Sequence, residues 1–154
     1  MNRIGLNQEK ATDLVNALNE LLANYQVYYM NVRGFHWNIK GEKFFELHVK
    51  FEELYNDLLM KVDEIAERVL TLGGKPAHAY SEYLQESDIM EAINVSDAEG
   101  TVSSILNGFE TLIKKQRAIL EMAGDAEDEG TNALMSDYIR EQEKLIWMYS
   151  AFLG

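Results

Sequence analysis

VRGFHWNIKGEKFFELHVKFEELYNDLLMKVDEIAERVLTL, residues Val32 to Leu72, is the stretch from which the fold can be read. It carries two of the three histidines and one of the two tryptophans on a helical, mostly apolar background. A glycine-containing turn at Asn38–Gly41 divides it into two arms, so His36 and His48 flank the turn at one end of a helical hairpin. Asp63 and Glu67 lie one helical turn apart and project from one face. His48 precedes Asp63 by fifteen residues. At ~1.5 Å per residue this is roughly 22 Å along a helix, too far for the imidazoles and carboxylates of one chain to hold the same ion. If these four residues form one site, two copies of the chain must build it.

The rest of the chain continues the helical pattern. Its 154 residues suffice for one domain with a real core, and a single proline, Pro76, interrupts it. Asn7 is a candidate cap for a first helix on which Leu14, Leu18, Leu21, Leu22, Tyr25, Tyr28 and Val32 recur every three or four residues. A second helix is expected from about Lys43 to Leu72. Its inner stripe is Phe44, Leu47, Phe51, Leu54, Tyr55, Leu58, Val62, Ile65 and Val69, and Gly73–Gly74 ends it. The connection from Lys75 to Ser96 is long enough for a short helix within SEYLQESDIMEAI. Asp97 can cap a third helix with Val102, Ile105, Leu106, Phe109, Leu112, Ile113, Ile119 and Leu120 inside, fading at Gly124. Thr131 is the expected cap of a fourth, with Leu134, Tyr138, Leu145, Met148 and Phe152 as its stripe. Four long helices with one long crossover predict an all-α, ferritin-like four-helix bundle as a single domain, residues 1–154.

Composition excludes several classes of function. With no cysteine there is neither a disulfide nor a thiolate metal site. No signal-like segment opens the sequence and no apolar run is long enough for a membrane span, so the cytoplasm is the expected compartment. A formal charge of −12 opposes loose attraction to nucleic acid and favours cations.

The Glu-x-x-His pairs of a di-iron centre inside a bundle are missing. Arg33, Phe45 and Lys75 stand three residues before His36, His48 and His78. What remains is two imidazoles and two carboxylates, a set that suits iron, zinc or manganese without choosing among them. Taken alone, Asp63 and Glu67 would read as a solvated face partnered by Lys61 and Arg68, and a histidine on such a helix as an interface residue. His78, after Pro76, reads as a surface residue. Trp37 and Trp147 read as core or interface aromatics, and Tyr25, Tyr28 and Tyr29 as packing.

RGFHWNIKG, FFELH, FEELY and DEIAER, with LGGKPA from Leu72 and IWMYSAFLG from Ile146, resemble the Dps proteins, the mini-ferritins named for DNA-binding protein from starved cells. The likeness spans nearly the whole chain. It implies a hollow dodecamer that oxidises Fe(II), with hydrogen peroxide preferred, at sites on two-fold interfaces, and that stores Fe(III) mineral against oxidative stress. The family's ligand positions fall on His36 and His48 of one subunit and on Asp63 and Glu67 of its neighbour, with a further acidic position at Glu52. The resemblance also suggests that Trp37 lies near the site as an electron donor. The run EMAGDAEDE, residues 121–129, reads either as a solvated loop or, by the resemblance, as the lining of an entry pore through Asp125, Glu127, Asp128 and Glu129. DNA-binding members often carry basic tails, whereas the first ten residues here hold only Arg3 and Lys10. A protein that coats DNA without catalysis is therefore the alternative, and a bundle that assembles without metal a third.

Overall fold

Asn7 begins the first helix as expected, its side chain accepting a hydrogen bond from the Lys10 backbone N–H. The computed structural model describes residues 1–154 and comprises five helices: α1 Gln8–Asn38, α2 Phe44–Thr71, α3 Tyr80–Glu86, α4 Ala98–Asp125 and α5 Glu129–Leu153. Short turns make hairpins of α1 with α2 and of α4 with α5; α4 packs on α1, and the crossover between the hairpins lays α3 against α1. This is the ferritin-like arrangement. No helix is long and apolar enough to cross a membrane.

The second and fourth helices stop for local reasons. Gly73, at φ +90°, ends α2, with the Gly74 N–H returning to the Val69 carbonyl and the Gly73 N–H to that of Leu70. The same motif ends α4, but Glu127 takes the left-handed position at φ +57°. Asp97 caps α4 through the Gly100 N–H. The cap of α5 is Asp128, which accepts from the Thr131 N–H and hydroxyl, and not Thr131 itself. Only residues 80–86 of the crossover are helical. The rest is fastened to α1 by side-chain amides: Asn24 accepts from the N–H groups of Asp88 and Ile89, and Asn31 pairs with Met90 O and Ala92 N.

The core runs the length of the bundle and includes Tyr25, Tyr28, Phe35, Phe51 and Phe109 among leucines and isoleucines. Burying each of the larger side chains contributes about 1.5–3 kcal/mol. The predicted stripes of α1, α2 and α4 are largely inside, although Phe44, Val62, Leu106, Ile113 and Leu120 are only half-buried. On α5 the stripe differs: Met135, Tyr138, Ile139, Gln142 and Tyr149 are buried, while Met148 and Phe152 are exposed. Gln142 occupies an inward position that an apolar count skips. It closes a ring of hydrogen bonds with Tyr25 and Gln116, the three bonds measuring 2.5–2.8 Å, so three helices meet at the bundle centre on amides and a phenol. Both tryptophans lie on the surface, Trp37 57% and Trp147 66% exposed, which excludes the core reading.

Candidate metal centre

The last turn of α1 and the start of α2 bring His36 and His48 face to face, ring centroids 3.8 Å apart and planes 11° from parallel. The His36 Nδ1 lies 2.6 Å from the His48 carbonyl, and the His48 Nδ1 lies 2.7 Å from the His36 carbonyl. A carbonyl can only accept, so both Nδ1 atoms carry hydrogen, and in each neutral ring Nε2 holds the lone pair. Both rings thus present Nε2 as the unprotonated nitrogen. The bonds are also structural. The Lys40 N–H, two residues past the helix, is committed to Ser96 O, so the His36 carbonyl at the end of α1 is capped by His48 instead.

Glu52, one turn after His48 on α2, places Oε1 3.8 Å from His36 Nε2. Its side chain is 54% exposed, against 9% for His36. Around the imidazoles, Phe44 stacks on His48 and Tyr55 meets His36 edge-on. The Arg33 guanidinium donates to the Tyr29 hydroxyl at 2.8 Å and lies over the Tyr55 and Trp37 rings at 4.6 and 5.0 Å. Sequence reading passed over Arg33 and over the aromatic walls. The only signal was spacing: Phe44 and His48, like Arg33 and Trp37, are four residues apart on a helix.

Asp63 and Glu67 are exposed on α2, and neither has an ion-pair partner. The two cations expected to serve them are engaged elsewhere. Lys61, only 4% exposed, pairs with Asp57 and Glu141 and lies over the Tyr138 ring. Arg68 turns to α5, where it binds Asp128 at 2.6 Å and the Thr131 hydroxyl at 2.9 Å. Within one protomer no three histidine, aspartate or glutamate side chains converge on a point that could hold a metal ion. The α1–α2 turn therefore brings the imidazoles together, the far part of α2 carries a pair of free carboxylates, and the protomer does not join them.

Among residues 121–129, Asp125, Glu127 and Glu129 are exposed between α4 and α5. Asp128 is not available with them: it is 2% exposed, and its carboxylate is used by Arg68 and Thr131. Asp128, expected from the sequence among the pore residues, is instead the buried cap of α5. His78 is exposed, its ring 3.0 Å from the Pro76 carbonyl.

Known proteins give this geometry its relatives. The model of the ferritin-like domain matches residues 15–154. A DNA protection during starvation protein of Porphyromonas gingivalis is 46% identical over 96% of this chain and 93% of its own length. One from Bacillus anthracis is 41% identical over 92% of this chain and 97% of its own. Among solved structures, the Dps protein of Vibrio cholerae O1, described as a member of a broad superfamily of ferritin-like diiron-carboxylate proteins, superposes with a TM-score of 0.98. It is 56% identical, over 100% of this chain and 97% of that one. On these matches, the chain belongs to the ferritin-like Dps family.

Proposed function

We propose that this protein is a ferroxidase and iron store. Fe(II) is its substrate, bound by His36, His48 and Glu52 of one subunit together with Asp63 and Glu67 of a second copy. The observation that carries this reading is the pair of imidazoles locked with Nε2 free, set against two unpaired carboxylates on the far part of α2. One half offers two imidazoles with a single nearby carboxylate, the other two carboxylates and no nitrogen. Two neutral nitrogens fix the position of the ion, and the carboxylates offset the growing positive charge as Fe(II) becomes Fe(III).

Hydrogen peroxide is the proposed oxidant. Two Fe(II) each give one electron, the O–O bond breaks, and with two protons the peroxide leaves as two waters. The ferric product is stored as mineral inside a hollow homo-oligomer, a dodecamer in this proposal, in the cytoplasm, which removes two reagents of hydroxyl-radical chemistry together. Asp125, Glu127 and Glu129 are the proposed lining of an entry path for the cation. Trp37, held under Arg33, is the proposed donor of a single electron when only one iron is present. Zinc or manganese fits the same donors, and the charge of −12 favours cations over DNA as partners.

The test is to mix anaerobic Fe(II)-loaded protein with peroxide and follow ferric absorbance. Oxidation faster than that of free iron, lost in a His36→Ala/His48→Ala variant, supports the reading; no acceleration ends it. A gel shift at low salt tests the DNA-coating alternative, which tight and salt-sensitive binding would favour.

A further inference from the structure

We propose that Phe44 is a positioning residue for the metal-binding imidazoles: it is the second wall that holds the His48 ring in its ligating orientation. This rests on the reading of His36 and His48 as ligands. A single hydrogen bond at Nδ1 fixes where that edge of the His48 ring points but leaves the ring free to rock about the bond. A flat contact on each face prevents this.

One face is covered by His36, nearly parallel at 3.8 Å, and Phe44 is also nearly parallel to His48, at 5.0 Å and 16°. Two parallel rings at these distances would overlap if they shared one face of an imidazole, so Phe44 covers the other. The order is then Phe44, His48, His36, closed by the edge of Tyr55 at 5.3 Å from His36. Offset stacking at such distances is a favoured aromatic geometry. The contact is local in origin: Phe44 is the first residue of α2 and His48 lies four residues on, directly above it. Phe44 is only half-buried: it packs against the edge of the core and stacks on His48, whereas Leu47 and Phe51 beside it are fully in the core.

The experiment uses the assembled protein and Co(II) as probe, read by its visible ligand-field absorption. Loss of a group that orients a metal-bound histidine costs about 10–100-fold in affinity. Phe44→Leu, apolar but not flat, is expected to bind Co(II) about tenfold more weakly with altered absorption, while oligomer mass and Tm stay near wild type. Phe44→Tyr restores the flat wall and is expected to bind as wild type does. Should leucine loosen the hairpin, Phe44→Met carries the same expectation.

Wild-type affinity and spectrum in the leucine or methionine variant would overturn the proposal, as would equal losses in leucine and tyrosine. His36→Ala/His48→Ala separates the two claims. If that variant binds Co(II) like wild type, the ligand reading itself falls; if it does not bind and Phe44→Leu is unaffected, only the role of Phe44 falls.

Discussion

His36 and His48 exchange hydrogen bonds, each ring Nδ1–H donating to the other residue's backbone carbonyl at 2.6 and 2.7 Å. The proposed ligand pair is therefore also a clasp between α1 and α2, and its loss should act on stability as well as on the proposed metal binding. A hydrogen bond of this kind contributes about 1 kcal/mol net. His48→Ala removes the cap on the His36 carbonyl and is expected to lower the Tm of metal-free protein by about 2–4 °C. Glu67→Ala, at an exposed and unpaired carboxylate, should leave that Tm unchanged while still weakening metal binding. Calorimetry of the two variants without metal checks this; an unchanged His48→Ala melt would mean that the clasp does not stabilise the hairpin.

Gly108 lies where α4 crosses Tyr28 of α1, and a Cβ there would overlap the tyrosine ring. Tyr28 cannot move aside cheaply, because it is fully buried and its hydroxyl is bound to the Ile105 carbonyl at 2.6 Å. Gly108→Ala should destabilise by about 1–3 kcal/mol through overpacking. Gly34→Ala, where a Cβ meets nothing within 4 Å, is the matched control on α1 and should not destabilise. Thermal melts of the two variants decide; equal melts would show that the helices separate at no cost.

Much of this architecture was legible because its signals are periodic or local. The stripes of α1, α2 and α4 follow apolar spacing, and Asn7, Asp97 and Gly73–Gly74 punctuate the chain as caps do. The α5 stripe was misread because the bundle centre there is polar: Gln142 faces inward to complete a ring with Tyr25 and Gln116, partners 117 and 26 residues away. The ion pairs that join distant parts of the chain are equally invisible. Nothing near Asp128 in sequence announces Arg68, and nothing near Lys61 announces Glu141. The candidate site is legible as far as two pairs of metal-binding residue types, one at the α1–α2 turn and one on the far part of α2. Its tautomers and aromatic walls required the backbone of the turn.

Alkaline conditions should unfold the protein in a defined direction. Burial, with nearby carboxylates for Tyr25, Tyr138 and Tyr149, raises the hydroxyls of Tyr25, Tyr28, Tyr138 and Tyr149 above the ordinary tyrosine value. Lys61 is also raised, its salt bridges with Asp57 and Glu141 outweighing the effect of burial. Folded values above unfolded ones mean that the stabilisation is complete below about pH 10. Above that pH the unfolded chain loses protons that the folded one keeps, so stability falls as pH rises. The Tm should be flat up to about pH 10 and then decline. In Tyr149→Phe the decline should be shallower by one proton; an unchanged slope would show that Tyr149 ionises as easily folded as unfolded.

The separation of the two ligand groups along α2 gives the strictest test, because it demands complementation between subunits. His48 and Asp63 are on one continuous helix, Phe44–Thr71, roughly 22 Å apart along its axis, and no side chain spans that gap. If the site is shared, each two-fold interface carries two sites, every one taking its imidazoles from one chain and Asp63 and Glu67 from the other. A His36→Ala/His48→Ala chain and an Asp63→Ala/Glu67→Ala chain should each be nearly inactive as homo-oligomers. Across a two-fold axis, one chain of each kind rebuilds one intact site and one that lacks all four residues. Subunit exchange, followed by mass spectrometry to establish mixed oligomers, should therefore restore a clear fraction of Fe(II) oxidation, below the wild-type level. Because Asp63 and Glu67 have no ion-pair partner within the protomer, the second chain should fold as wild type does, and its inactivity would not reflect unfolding. Mixed oligomers as inactive as both parents would rule out a site built by two copies.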